Sequence, residues 1–344
     1  MAPPRNGCSV SRRTRLFRPT GQRLGAVGLG CAGMSPWMYV RPHSDDRAWA
    51  ELLNAAVDLG ATLLDTAGVY GEGHNETLIG WAVAPRRHEV FLATKVGLVV
   101  DDLATMTLHR DGRPAHLRDA VEASLRRLRT DTVDLCYLHR VDPAVPLEDS
   151  WGVLAVMVAE GKIARLGLSD VHIRQAEQAH RIHPVAAVQS ELSLWSRQAL
   201  GGRDPEEDIV GWCARNGALF VPFSPLGRGF LTGTITPDTR FPSEDLRARH
   251  PRFTARARAA NQRILTPLRE VADRHGATPA QVALAWVLAH GDHVIPVPGT
   301  TRLTYLRANV AAANLHLTAQ DLADLDRTPE AAEGHPSGTL GSRV

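Results

Sequence analysis

Two kinds of apolar pattern alternate along this chain. About eight short runs are apolar with little polar alternation: AVGLG (26–30), TLLDT (62–66), VFLATKV (90–96), VDLCYLH (133–139), ARLGLS (164–169), VAAVQS (185–190), LFVPFS (219–224) and VIPVPG (294–299). Strands covered on both faces have this character, as in a parallel sheet. Between them the apolar positions take a helical period. Residues 45–59 put Trp49, Leu52, Leu53, Ala56 and Leu59 on one face and stop at Gly60. Residues 116–128 put Leu117, Val121, Leu125 and Leu128 on one face with arginines opposite. Similar stripes occupy 148–159 and 279–290, the second opened by Thr278-Pro279, a good N-cap and first-turn pair. Eight β runs with helices between them predict an α/β fold, a (β/α)8 TIM barrel. TRLFRPTGQRL (14–24) reads as a β-hairpin ahead of the first barrel strand. The stretch 226–262, rich in Arg, Pro and Gly, reads as a long loop after strand seven. The expected organisation is a disordered extension over 1–13, one barrel domain over 14–330 and a tail over 331–344.

Composition adds mainly exclusions. The 344 residues are 44% hydrophobic and 22% charged, enough for a large core without a metal or disulfide staple. A net charge of +2 gives no reason to expect nucleic acid or a membrane surface as partner. No apolar run reaches the length of a membrane span, and the basic N-terminus lacks the apolar segment of a secretory signal. Cys8, Cys31, Cys136 and Cys213 form no C-x-x-C pair and no cluster with histidine. Neither a zinc site nor a disulfide framework is expected, and a cytoplasmic location is. The helix faces do not fix an oligomeric state.

GLGCAG (28–33) is a literal G-x-G-x-x-G. The dinucleotide fingerprint needs a helix to open at once, so that its N-terminus meets the pyrophosphate. Here the chain runs on through Pro36 and Pro42, and helical period begins only near Asp45. The Rossmann reading is therefore rejected, and the glycines are expected in a tight loop where backbone meets ligand.

In a parallel barrel the working residues sit at the C-terminal ends of strands. The second run ends on Asp65 with Tyr70 just beyond, the third on Lys95, the fourth on His139. Each has a plain structural reading: a loop cap, a lysine reaching the rim, a core histidine. Asn75 is expected to be only an N-cap. Together the four suit proton transfer to a carbonyl oxygen. A phenol is a poor acid near neutral pH, and a neighbouring ammonium would lower its pKa. Asp65 can supply the counter-charge that a buried lysine needs. His139 can hydrogen-bond and orient the substrate oxygen.

From these residues outward the chain resembles the aldo-keto reductases, barrel oxidoreductases that bind NADPH without a Rossmann fold. The matching pieces are LGCAGMS (29–35), LLDTAGVYGEGHNE (63–76), FLATKVG (91–97), DLCYLHRVDP (134–143), EGKIARLGLSD (160–170), VQSELSLWSR (188–197), VPFSPLGRGFLTG (221–233) and IPVPGTTRLTYLRANV (295–310). They run in family order and are most similar to the bacterial branch with the SLWSR and SPLGRGFLTG signatures. The resemblance implies Asp65, Tyr70, Lys95 and His139 as a catalytic tetrad, with Tyr70 as general acid. It implies Ser169, Asp170 and Gln189 at the nicotinamide carboxamide and Phe223 stacked on the ring. Leu226, Gly227 and Arg228 match the pyrophosphate loop, and Ser224 is a further cofactor-binding candidate. Gly299, Thr300, Thr301, Arg302 and Asn309 match the adenosine 2′-phosphate and adenine region, and Gly30 and Cys31 are also expected to bind cofactor. Trp37, Tyr39 and Trp195 are expected around the substrate.

Three positions depart from the family pattern. Asp170 stands where asparagine is usual, and a carboxylate has no amide donor. Thr301 replaces a common lysine and Ala308 a common acid. Arg302 remains, and a guanidinium suits a phosphate. The function expected is reduction of an aldehyde or ketone by NADPH. The alternatives are a regulatory subunit of the same fold that senses NADPH with little turnover, and a barrel lyase or isomerase without nicotinamide.

Overall fold

The structure, a computed structural model, describes residues 13–35, 45–102, 105, 107–202, 207–329 and 331. The chain opens with an antiparallel hairpin, β1 (Thr14–Phe17) and β2 (Gln22–Gly25), in which Thr14 faces Gly25 and Phe17 faces Gln22. Its two inward residues, Phe17 and Leu24, are fully buried, and the Phe17 ring meets Phe91 edge-on at 5.4 Å. Phe91 begins its own strand, so the hairpin plugs the N-terminal end of the barrel.

The barrel follows. Its strands are β3 (Leu29–Gly30), β4 (Leu63–Asp65) and β5 (Phe91–Val96), then, after a side hairpin of β6 (Leu98–Asp102) and β7 (Thr107–Arg110), β8 (Leu135–Leu138), β9 (Leu166–Ser169), β10 (Val185–Gln189) and β11 (Leu219–Phe220). Neighbours pair in the order β3-β4-β5-β8-β9-β10-β11, all parallel. Inward side chains, among them Leu63, Phe91, Leu135, Tyr137, Leu219 and Ile295, fill the interior. Outward ones pack under the helices in a larger second layer.

Seven of the eight expected strands form regular pairs. The eighth, 294–299, closes the barrel without becoming a strand in its own right. It touches β11 through a parallel bridge from Phe220 to Val294, and β3 through one from Gly30 to Gly299. On the β3 side Gly28 and Gly30 donate their N–H groups to the carbonyls of Pro296 and Pro298, at 2.9 and 3.3 Å. Prolines have no N–H to return, so a full ladder is impossible there. The first run is likewise shorter than expected, Leu29–Gly30 in place of 26–30. A Cβ on Gly30 would lie 2.6 Å from the Val297 carbonyl oxygen, and one on Gly28 would lie 2.9 Å from that of Leu63. These glycines serve the close approach of backbone to backbone in the barrel wall.

The helices are α1 (Asp46–Leu59), α2 (His74–Val83), α3 (Pro114–Leu128), α4 (Leu147–Ala159), α5 (Ile173–Ile182), α6 (Ile209–Asn216), α7 (Leu246–Arg249), α8 (Ala255–Asn261), α9 (Leu265–His275), α10 (Pro279–Leu288), α11 (Leu303–Ala311) and α12 (Ala319–Asp326). Their ends follow local chemistry. Asp45 caps α1 by accepting from the Ala48 N–H, and Gly60 at φ 87° ends it. Thr278 and Gln281 form a capping box before Pro279. Two expectations change. The stretch 226–262 is not plain loop: it holds a 3-10 turn over Gly227–Thr232 and then α7, a second turn over Pro251–Phe253, and α8. Asn75 is not an N-cap. Gly73 holds that position without a side-chain bond, and Asn75 is wholly buried inside α2.

Candidate active site

The strand ends converge as the barrel geometry requires. Asp65 closes β4, Lys95 is the fifth residue of β5 and His139 follows β8, while Tyr70 stands in the loop between β4 and α2. Lys95 is 1% exposed. Its Nζ donates to Asp65 Oδ1 at 2.5 Å, to the Thr66 carbonyl at 2.8 Å and to Tyr70 Oη at 3.3 Å. The Gln189 amide donates to the other Asp65 oxygen at 2.7 Å. The Tyr70 and His139 rings stand edge to face, 6.3 Å between centroids. All four side chains are buried at the mouth.

Burial sets the protonation states. It works to lower the Lys95 pKa, but Asp65 and Tyr70 outweigh it and the net shift is upward, so the ammonium is kept. For Tyr70 burial is the largest effect and raises the pKa above the ordinary phenol value, despite the opposing charge of Lys95. Lys95 does pull this phenol down, as expected, but withdrawal from water outweighs it, so the net shift is upward and Tyr70 stays a protonated acid. Burial, with the charges of Arg140 and Lys95, holds His139 well below the usual imidazole range. It is neutral at physiological pH, and among the described residues its Nδ1 has no hydrogen-bond partner.

Around this centre lie the groups able to hold a dinucleotide. Ser224, Gly227, Arg228 and Gly229 all have positive φ, at 50°, 56°, 55° and 96°. Turns of this kind can form a nest of backbone amides for anionic oxygen, with the Gly227 and Gly229 N–H groups here donating to the Ser224 and Leu226 carbonyls that shape the loop. Phe223 is partly buried against the inner core. Thr300 accepts from the Arg302 N–H just before α11, and the Arg302 guanidinium lies over the Tyr305 ring at 5.5 Å. Asn309 is buried within α11, and Gly299 and Thr301 flank Thr300. The residues present thus fit a phosphate-bearing cofactor.

Other expected positions have different surroundings. Cys31 is fully buried, its N–H donating to the Asp65 carbonyl and its own carbonyl accepting from Asn75 Nδ2. Trp195 is 4% exposed, stacked near Phe230 at 4.3 Å and edge-on to Phe253. A Cβ on Gly227 would come 2.7 Å from its ring, so Trp195 supports the nest loop from beneath. Trp37 and Tyr39 lie outside the described residues.

Sequence reasoning missed Arg140. Its guanidinium pairs with Asp170 at 2.5 Å and donates to the Ser169 hydroxyl at 2.9 Å and the His139 carbonyl at 2.6 Å. The signal was available: an aspartate where an amide is usual calls for a cation, and Arg140 leads out of the neighbouring strand. It also missed the pair of Glu191 with Arg252, 2.6 Å apart and both buried, which fastens 226–262 to the end of β10.

Known proteins resemble this chain over most of its length. A profile of the Aldo/keto reductase family matches residues 26–330. A Glycine max protein named "Probable aldo-keto reductase 1" is 39% identical over 306 residues, covering 89% of this chain and 85% of that one. A glycerol dehydrogenase from Gluconobacter oxydans superposes with a TM-score of 0.80 at 32% identity, covering 92% of this chain and 94% of its own. An aldo-keto reductase from Klebsiella pneumoniae, solved in complex with NADPH, superposes with a TM-score of 0.71 at 26% identity, covering 94% and 98%. The family profile spans most of the chain and the Glycine max relative matches it almost end to end, so the chain belongs to the aldo-keto reductase family.

Proposed function

We propose that this chain is an NADP(H)-dependent carbonyl reductase in which Tyr70 is the general acid. When bound, the nicotinamide supplies a hydride to the carbonyl carbon of an aldehyde or ketone. Tyr70 gives its phenolic proton to the carbonyl oxygen as that oxygen gains charge. The phenolate left behind forms 3.3 Å from Lys95 Nζ, an interaction that strengthens only as the proton departs. Asp65 holds Lys95 charged and in place. Neutral His139 orients the oxygen without competing as a stronger acid. The nest at 224–229 suits the pyrophosphate, and Arg302 beside the start of α11 suits a 2′-phosphate. The complex of the Klebsiella relative with NADPH supports the same cofactor here.

One observation carries the reading: a buried ammonium shared between a carboxylate and a phenol. The test is steady-state oxidation of NADPH and NADH against a panel of aldehydes and ketones, with Tyr70→Phe beside wild type. Losing the proton donor is expected to lower kcat by roughly 10²- to 10⁴-fold. Fluorescence titration is expected to find NADPH affinity nearly unchanged. Retained turnover in Tyr70→Phe refutes the acid role. Tight NADPH binding with no oxidation by any carbonyl points instead to a sensor.

A further inference from the structure

Tyr70 sits in a loop, 66–73, that has neither strand nor helix of its own, yet its phenol must hold a fixed distance from Lys95. Two adjacent residues of α2 hold that loop from inside. Asn75 Oδ1 accepts from the Thr66 hydroxyl at 2.7 Å, and Asn75 Nδ2 donates to the Cys31 carbonyl at 2.9 Å and Ser35 Oγ at 3.0 Å. The Asn75 N–H donates to the carbonyl of Tyr70 itself at 3.2 Å. Glu76 is completely buried, and a buried carboxylate needs donors. One is Thr94 Oγ1 at 2.5 Å, on the residue next to Lys95 in β5. The other is Arg127 of α3, with Nε and Nη2 each 2.7 Å from Glu76 Oε2.

The Arg127 side chain then lies against the loop on both sides of Tyr70. A Cβ at Gly73 would be 2.6 Å from Arg127 Cδ and Nε, and one at Gly68 would be 3.4 Å from Nη2. One carboxylate thus joins the segment that carries Tyr70, the strand that carries Lys95, and α3. We infer that the buried Glu76–Arg127 pair is a positioning device that sets the Tyr70 phenol against Lys95. This rests on the reading of Tyr70 as general acid. Glu76 and Arg127 touch neither substrate nor cofactor in it; they act through the loop.

The experiment compares Arg127→Ala, Arg127→Lys and Glu76→Gln with wild type, in kcat, in NADPH affinity by fluorescence, and in the Tyr70→Phe background. A small displacement of the acid is expected to cost kcat about 10- to 100-fold. NADPH affinity should stay within about twofold, because the loop is distinct from the cofactor-binding residues. The Arg127 side chain is 30% exposed, so a site emptied by Arg127→Ala is open to solvent. Millimolar guanidinium is then expected to restore part of kcat, a rescue that general loosening of the fold would not give. On the residual rate of Tyr70→Phe, Arg127→Ala should cost nothing further. Should Arg127→Ala fail to fold, Arg127→Lys, which keeps the charge and loses the planar fork, carries the same kcat-against-affinity comparison. An unimpaired kcat in a folded Arg127 variant, or an equal loss with and without the Tyr70 hydroxyl, overturns the positioning role. Full turnover in Tyr70→Phe overturns the acid reading beneath it, a separate outcome.

Discussion

A lysine with 1% of its surface exposed must find its counter-charge inside the protein, and Asp65 provides it for Lys95. Removing one member of a buried pair strands the other, at a cost of about 3–5 kcal/mol. Asp65→Asn is therefore expected to be less stable by that order in urea unfolding, and to lower the Lys95 pKa. An unchanged midpoint would mean that the Thr66 carbonyl and Tyr70 alone satisfy the ammonium. At this scale the sequence is legible where function and strand position coincide. Asp65, Lys95 and His139 announce themselves because an apolar strand ending on an ionisable side chain is unusual. Asn75 and Glu76 look like the ordinary start of a helix. Their importance comes from Thr66, Cys31, Thr94 and Arg127, which lie on other segments and become neighbours only when the barrel closes. The direction of the Tyr70 shift was equally hidden, since it depends on how much water the fold removes.

Among elements, the segment 226–262 departs most from its expected form. It lacks long apolar periodicity, and its short helices owe their place to tertiary contacts. Arg258 donates to the carbonyls of Thr236, Pro237 and Phe253, knitting the segment to itself. Arg252 joins it to Glu191 and lies 5.5 Å over the Trp195 ring, which in turn supports Gly227. The nest at the start of the segment is thus braced from its far part through Arg252 and Trp195. Arg252→Ala is expected to weaken NADPH binding by about tenfold or more, the equivalent of roughly 1.4 kcal/mol. Fluorescence titration measures it, and an unaltered dissociation constant would uncouple the insertion from the cofactor. The side hairpin of β6 and β7 was not foreseen either. Leu98, Val100 and Leu108 pack in one small cluster with Tyr70, Val69 and Leu246 of the insertion. Neither strand is apolar enough to announce itself without those partners.

At the scale of the whole molecule, part of the acid sensitivity lies in buried imidazoles. His139 is held well below the usual imidazole pKa, and burial, with Arg228 and Arg252 nearby, brings His250 down to about 3. The unfolded chain takes up both protons near pH 6.5 while the native chain does not. Stability is therefore full above that pH and is lost as pH falls through it, by about 1.4 kcal/mol per pH unit for each proton. Tyr70 acts on the other side: with its native pKa raised, the stability it contributes is lost as pH rises past the ordinary phenol value. Urea midpoints at pH 7 and pH 5 should differ, and His250→Gln should narrow the gap. An undiminished gap would assign the acid limb to other groups. The barrel itself was legible at this scale because eight buried runs with helices between them admit few other closed arrangements. What periodicity cannot show is the quality of the closure.

That closure has a grain. Along β3 the two bonds to the final segment both run outward from Gly28 and Gly30, and the acceptors are prolines that return none. A cylinder laced more thinly along one line than elsewhere breathes first along that line. Here the line ends beside Gly299 and Thr300, next to the expected 2′-phosphate region. Backbone amides along that line are expected to exchange sooner than those beneath Lys95, where β5 and β8 pair over four residues.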